Sequence, residues 1–191
     1  INKDYYKAVD QYEEARRICE KYSAVRCDDE LFNGIRTAKN GIYQDHLNHG
    51  RIAIQQNNLA DADEALDNAI RYQSLNAREI TDNSEALTLK KVIRQRYYDK
   101  KIAEAKSNTL TKNYDAALLN LDEAEQMLKD HELTAPSDLK MIQQQAARPR
   151  TSELFYEGDK YIEQGDLVNA GKKMQMAIQL QTKYDLTNDK E

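Results

Sequence analysis

A pattern of alanine, a large apolar residue and a second alanine recurs in four parts of the chain. Ala8, Ala62, Ala117 and Ala170 lie 54, 55 and 53 residues apart. A large residue follows each alanine after four positions and a second alanine after seven, which gives Ala8, Tyr12, Ala15; Ala62, Leu66, Ala69; Ala117, Leu121, Ala124; and Ala170, Met174, Ala177. Spacings of four and three keep such residues on one face of a helix. The pattern predicts four similar helices, each with a narrow face that allows close packing against a neighbour.

A polar turn precedes each of these helices and ends in one apolar residue. The four turns are Lys3-Asp4-Tyr5, Asn57-Asn58-Leu59, Lys112-Asn113-Tyr114 and Gly165-Asp166-Leu167. Asn, Asp and Gly suit tight connections because they tolerate left-handed backbone or cap a helix with a side-chain oxygen. Each turn is therefore expected to join two antiparallel helices.

The segments before these turns also predict helices, the first helices of each pair. Their start signals are Asp28-Asp29, Asp82 with Glu85, and Pro136-Ser137-Asp138. Gly41 and Pro149 each stand 21 residues before the alanine of their repeat, where either residue can bend a helix. We expect unusually long first helices, or two shorter helices joined by a kink.

Three of the repeats also carry a small residue at a fixed distance before their first alanine. Gly50, Ala105 and Gly158 stand twelve residues before their alanines. The stretch EGDKYIEQGDLVNAGKKMQMAIQL resembles a tetratricopeptide repeat, whose packing positions are filled here by Gly158, Tyr161, Gly165, Leu167, Ala170, Met174 and Ala177. The period near 54 differs from the ~34 residues usual in that family. The resemblance implies an all-α fold, a right-handed superhelix of antiparallel helix pairs.

The repeat pattern divides one solenoid over residues 1–191 into four repeats. They are a truncated first repeat with only its second helix (1–22), three helix pairs (28–76, 82–131 and 137–185) and a tail (186–191). Because a half repeat at the start would expose the face that its missing helix covers, we expect a fragment of a longer protein. No targeting segment is visible before the first repeat.

The amino-acid composition favours a helical chain and disfavours two classes of partner, membranes and nucleic acids. Only six glycines and two prolines interrupt a sequence that is 32% charged and 40% hydrophobic, which also disfavours a membrane span. A formal charge of −5 does not favour nucleic acid as a partner. The basic stretch LKKVIRQRYYDKK is interpreted as a solvated face, with cations at Lys90, Lys91, Arg94, Arg96, Lys100 and Lys101.

In the resembled family the first helices line a concave groove that receives peptides or helices. The repeat pattern directs Leu47, Ile102 and Phe155 towards such a groove, with Ile54, Thr109 and Ile162 one heptad further on and Arg51, Lys106 and Asp159 as the accompanying charges. Apolar anchors among charges suit recognition of a helix in a groove. The alternative is that long helices bury this apolar stripe against each other.

Two further groups of residues, a histidine cluster and a pair of cysteines, each allow two interpretations. Asp45, His46 and His49 share a helix face, but histidines at packing positions favour a structural role over a metal site. Cys19 and Cys27 form either a short-range disulfide or two unpaired thiols. Neither a phosphate-binding loop nor a nucleophile motif is visible, so no enzyme, metal or cofactor is expected.

These patterns predict a non-catalytic scaffold or adaptor whose partner is another protein, bound as a peptide, helix or domain. Self-association through open solenoid ends is a further possibility. The alternative, motivated by twelve tyrosines and abundant Asn and Gln, is a solute- or glycan-binding helical module of the cell envelope.

Overall fold

The computed structural model describes residues 4–22 and 24–186, and all regular secondary structure within them is helical. The helices are α1 (Tyr5–Lys21), α2 (Asp29–Gln55), α3 (Leu59–Leu75), α4 (Ser84–Leu110), α5 (Tyr114–Asp130), α6 (Leu139–Glu163) and α7 (Leu167–Lys183). The prediction of an all-α fold is confirmed. None of the helices in this described part has the length and apolar character needed to cross a membrane.

Long and short helices alternate along the chain. The first helices α2 and α4 have 27 residues and α6 has 25, whereas α1, α3, α5 and α7 have 17 each. Of the two forms predicted for the first helices, the structure has the long continuous one. Helix α2 passes through Gly41 and α6 passes through Pro149 without interruption.

The turns before α3, α5 and α7 share one backbone conformation. Asn57, Lys112 and Gly165 occupy the same position in these turns and have φ of 57°, 61° and 78°. This left-handed residue ends one helix, and the next residue stands at the N-cap of the following one. Asp166 caps α7 by accepting from the Asn169 amide at 3.0 Å, and Asn58 accepts from the Asp61 amide at 3.4 Å. These three predicted turns are therefore helix-pair connections, and the fourth, Lys3-Asp4-Tyr5, begins outside the described residues.

Glycines let sequential helices approach closely. A Cβ added at Gly50 on α2 would lie 2.8 Å from Leu66 Cδ2 on α3, and one at Gly158 on α6 would lie 3.1 Å from Met174 Cγ on α7. Gly41 has a related role, because a Cβ there would overlap the ring of Tyr5 on α1. Gly41 therefore allows α1 to pack closely on α2, and α2 continues through it.

The chain forms two compact units, Ile1–Ile93 and Arg94–Glu191, and α4 begins in the first and ends in the second. In the first unit α2 packs on α1 and α3, and in the second α6 packs on α5 and α7. The predicted packing residues Ala62, Leu66 and Ala69 are fully buried in α3. Their counterparts in α5 and the alanines of α7 are also buried; they are Ala117, Leu121, Ala124, Ala170 and Ala177.

A disulfide joins Cys19, near the end of α1, to Cys27, just before α2. The Cα atoms of the two cysteines are 5.3 Å apart. Of the two states that the sequence allowed, the structure has the bonded one. Since Cys19 is the only buried residue of α1, this covalent link supplements a small packed contact.

Candidate partner-binding surface

Three of the apolar residues predicted to face a partner are buried in the helix packing. Leu47 on α2 is fully buried, Ile54 on the same helix is 7% exposed, and Ile102 on α4 is 5% exposed. Phe155 on α6 is half-buried. Leu47, Ile54 and Ile102 therefore pack against other helices of the chain, as the alternative interpretation of the apolar stripe predicts. Only Ile162, which is 47% exposed at the end of α6, presents a large part of its surface.

The predicted charged residues Arg51 and Lys106 connect successive first helices. Arg51 on α2 donates from Nε to Glu85 Oε1 on α4 at 2.9 Å, and Lys106 Nζ on α4 lies 3.2 Å from Oδ2 of Asp138, the N-cap residue of α6. Arg51 and Lys106 both stand eleven residues before the alanine of their repeat, and Glu85 and Asp138 both stand 32 residues before theirs. The same ion pair thus occurs twice along the chain.

A shallow cavity of about 260 Å³ lies between α4 and α6, beside the Lys106–Asp138 pair. We call it the α4–α6 groove, and it is lined by Lys106, Thr109, Leu110, Asp138, Met141, Ile142 and Gln145. Leu110 is 85% exposed and Met141 is 52% exposed, so the groove carries two accessible apolar side chains in addition to the Lys106–Asp138 ion pair. Sequence reasoning identified Lys106 and Thr109 but missed Leu110 and Met141. Both occur within a few residues of a predicted helix boundary, which is the only signal that the sequence offers for them.

Mostly buried cations hold each first helix on the helix before it. Lys90 on α4 donates from Nζ to Asp63 at 2.6 Å and lies 2.8 Å from Asp67, both on α3. Arg150 on α6 donates to Asp115 on α5 at 2.7 Å. Burial alone would lower the pKa of Lys90, but hydrogen bonds to its two aspartates outweigh burial and raise it. The interpretation of the basic stretch as a solvated face is therefore wrong for Lys90, which is only 8% exposed.

Helix α2 contributes a third buried cation of this kind. Lys39 is 8% exposed, and its Nζ lies 2.8 Å from Glu13 Oε1 on α1 and 3.3 Å from Glu79 Oε1 in the segment before α4. The first helices α2, α4 and α6 thus each carry a largely buried cation that pairs with an acidic residue of the preceding short helix. These acceptors are far from the cations in sequence, so local pattern does not reveal them.

The predicted His46 constellation forms a small polar site in the first compact unit. His46 on α2 has its Nε2 3.3 Å from the Tyr6 hydroxyl, and its ring centroid is 6.2 Å from that of Tyr72 on α3. A shallow cavity of about 300 Å³ adjoins it, lined by His46, Asn68, Arg71, Tyr72 and Leu75. Within the described residues, no group of three His, Cys, Asp or Glu side chains has the arrangement of a metal site.

Burial sets the protonation states of this site. It lowers the pKa of His46, and it raises the pKa of Tyr72 to about 12 with smaller contributions from Tyr6, Glu79 and Glu13. Both rings are therefore neutral near pH 7 and act there as hydrogen-bonding and stacking groups.

Comparisons of the chain with protein-family profiles, with curated proteins and with solved structures found no match. Its function is therefore inferred from its own contacts and surfaces.

Proposed function

We propose that the chain is a right-handed α-solenoid related to tetratricopeptide repeats, with a period of about 54 residues, and that it serves as a non-catalytic scaffold for another protein. The recurrence of equal elements supports the solenoid: 17-residue helices begin at Tyr5, Leu59, Tyr114 and Leu167. Recurring contacts add further support, since the ion pairs Arg51–Glu85 and Lys106–Asp138 occupy one position of the repeat. Stacked helical repeats commonly use their surfaces to bind extended partners.

The observation that carries the scaffold function is the exposed apolar pair of the α4–α6 groove. Leu110 and Met141 are accessible in a concave surface, where apolar side chains provide binding energy once a partner excludes water. Lys106 and Asp138, which pair with each other in the groove lining, offer polar contacts to a peptide or helix bound there. The groove suits a peptide or amphipathic helix with one or two apolar anchors.

The test is a comparative pull-down with the double variant Leu110→Asp/Met141→Asp. The matched control is Leu119→Asp, which changes another exposed leucine, 60% accessible on α5, away from the groove lining. We expect a partner from lysate of the source organism to bind the wild type and the control but not the double variant. Circular dichroism and melting curves check that all three are folded. Equal capture by the double variant would exclude the groove as the binding surface.

A second candidate function is binding of a small solute or glycan at the His46 site. The observation in its favour is a cavity that combines the rings of His46 and Tyr72 with the polar groups of Asn68 and Arg71. Aromatic faces stack on sugar rings, and amide and guanidinium groups bind their hydroxyl or carboxylate groups. A glycan array and calorimetry with the wild type and Arg71→Ala test it, and binding that is unaffected by Arg71→Ala would place the ligand elsewhere.

A further inference from the structure

One position of the repeat is closed by an ion pair in the helix pair α4–α5. Lys101 on α4 stands sixteen residues before Ala117, and Glu123 on α5 stands six residues after it. The Nζ atom of Lys101 lies 2.6 Å from Glu123 Oε2. In the pair α6–α7 the same two positions hold the apolar residues Leu154 and Met176. In both pairs this position therefore contains either a matched ion pair or no charge.

In the pair α2–α3 the same positions belong to the His46 site. His46 stands sixteen residues before Ala62, and Asn68 stands six residues after it. A neutral amide thus takes the place of the acid, while Arg71 adds a guanidinium group to the cavity lining. Arg71 donates to the amide oxygen of Asn68, and no carboxylate pairs with it in the part of the chain that the structure describes. The site therefore has a cation but lacks the acid that α5 supplies in the next pair.

Nearby acids are engaged by lysines rather than by Arg71. Two of them act on the pKa of Tyr72, and a third stands four residues before Arg71 in α3. Their pairs are Glu13–Lys39 at 2.8 Å, Glu79–Lys39 at 3.3 Å and Asp67–Lys90 at 2.8 Å. Asp45, an exposed residue next to His46 in the sequence, raises the pKa of His46 but is outside the cavity lining. The lining itself thus combines basic, amide and aromatic groups with one leucine.

We infer that the His46 site binds a sugar acid, whose carboxylate occupies the place that Glu123 has in the pair α4–α5. This inference rests on the second candidate function and names its ligand class. The guanidinium of Arg71 and the amide nitrogen of Asn68 donate to the carboxylate. The ring of Tyr72 provides an apolar face for the sugar ring. A cavity of about 300 Å³ is at the small end of ligand pockets and suits a monosaccharide.

The position of His46 links this binding to a proton. The titratable and charged groups around its ring are Tyr6 of α1, Asp45 and His49 of α2, and Arg71 and Tyr72 of α3. Burial, His49 and Arg71 lower the pKa of His46, and a bound carboxylate acts in the opposite direction. Because the ligand raises this pKa, protonation of His46 must in turn strengthen binding. Affinity for a sugar acid therefore rises as the pH falls from about 7.5 to about 5.5, a range in which the carboxylate stays ionised.

Calorimetry of the purified chain with glucuronate and galacturonate tests the inference, and glucose and galactose are the neutral counterparts. We expect the acids to bind at least about tenfold more tightly than the neutral sugars. An NMR titration of the ring protons of His46, assigned with His46→Gln, should show a higher pKa in the presence of glucuronate. The increase in affinity towards low pH should be smaller in His46→Gln.

Two variants of the lining separate the carboxylate contact from general effects. Arg71→Gln should weaken glucuronate binding at least about tenfold. Its matched control is Arg36→Gln, since Arg36 also donates to an asparagine three residues earlier but lies outside the lining. Asn68→Glu restores an acid at the position of Glu123, so it should abolish glucuronate binding and raise the pKa of His46 without ligand. Circular dichroism checks that each variant is folded.

Several results would overturn the inference. Neutral sugars that bind as tightly as the acids would contradict it and leave the second candidate function standing. Acetate that binds as tightly as glucuronate would show that the site accepts an anion without a sugar ring. Glucuronate binding that is absent, or is unchanged in both Arg71→Gln and Asn68→Glu, would also refute it. Capture of a partner by the α4–α6 groove is independent of all these results.

Discussion

Lys106 on α4 lies 3.2 Å from Asp138, the N-cap residue of α6, and repeats the contact that Arg51 on α2 makes with Glu85 on α4. In both pairs the cation belongs to the earlier helix and the acid to the later one. Each pair therefore links one first helix to the next within its own compact unit. The residues predicted to bind a partner here thus also bind within the chain.

Reversing one charge of the Lys106–Asp138 pair should destabilise the chain slightly. Both side chains are more than one third exposed, so solvent screening limits their coupling to about 0.2–1 kcal/mol. Lys106→Glu places two acids together, and the double reversal Lys106→Glu/Asp138→Lys should restore most of the free energy of unfolding. Urea denaturation of the wild type, both single variants and the double variant measures this coupling. Additive effects would show that the two side chains do not interact in solution.

Replacing Lys90 should cost more, chiefly because its aliphatic stem is buried. Lys90→Ala is expected to lower the free energy of unfolding by about 1–2 kcal/mol, since it removes both the stem packing and charged hydrogen bonds to Asp63 and Asp67. Lys90→Met keeps most of the stem and leaves two aspartates that remain accessible to water, so its cost should be smaller. Chemical denaturation compares these variants with Lys100→Ala, whose side chain is 64% exposed. Equal losses for Ala and Met would assign the stability to the charge instead.

The helix boundaries and the packing alanines of α3, α5 and α7 were predictable because their signals are local, whereas Ala15 at the corresponding position of α1 is exposed. Ala62, Leu66 and Ala69 lie on one face of one helix, and the turn before them is encoded by adjacent residues. The environment of Lys90 was not predictable in this way, because its partners stand 27 and 23 residues earlier on another helix. In the sequence, Lys90 is simply one of several neighbouring cations.

The candidate site was predictable only in part, for a related reason. The repeat positions identify one side of each first helix, but a helix with several neighbours can bury that side or expose it. Leu47 is buried although it occupies a predicted partner-facing position, whereas Leu110 and Met141 are exposed at the ends of two different helices. A groove made by two helix ends depends on tertiary packing and leaves little trace in the period of the sequence.

Two glycine substitutions should have opposite effects on stability. Gly171→Ala in α7 adds a methyl group in open space, since no heavy atom outside the neighbouring residues and backbone of its own helix lies within 4 Å of the added Cβ, and should stabilise the helix by about 0.5–1 kcal/mol. Gly50→Ala places its Cβ 2.8 Å from Leu66 Cδ2, whose side chain is fully buried, and overpacking should outweigh the helix propensity by about 1 kcal/mol. Thermal and urea unfolding measure both. Stabilisation by Gly50→Ala would mean that α2 and α3 do not pack closely at this position.

Removing the disulfide should release α1 while leaving the rest of the chain folded. The bond between Cys19 and Cys27 closes a short loop, for which the chain-entropy relation gives about 2.5 kcal/mol. Because α1 buries little besides Cys19, we expect the loss to appear as faster amide exchange in α1. Hydrogen exchange of the wild type with and without reductant, and of Cys19→Ser/Cys27→Ser, makes this measurement. Amides of α7 are the internal control, and unchanged exchange in α1 after reduction would contradict the prediction.

The stability of the first compact unit should fall on mild acidification through His46. Burial lowers the pKa of His46, His49 and Arg71 lower it further, and the nearby Asp45 acts in the opposite direction. A folded-state pKa below the unfolded value of about 6.5 means that the unfolded chain binds the proton more readily. The free energy of unfolding should therefore decrease as the pH falls below about 6.5, and His46→Gln should reduce this slope. Urea titrations between about pH 7.5 and 5.5 compare the variant with the wild type, and His131→Gln, which changes a histidine of the second compact unit, is the matched control. Parallel profiles for the wild type and His46→Gln would show that His46 does not contribute to this pH dependence.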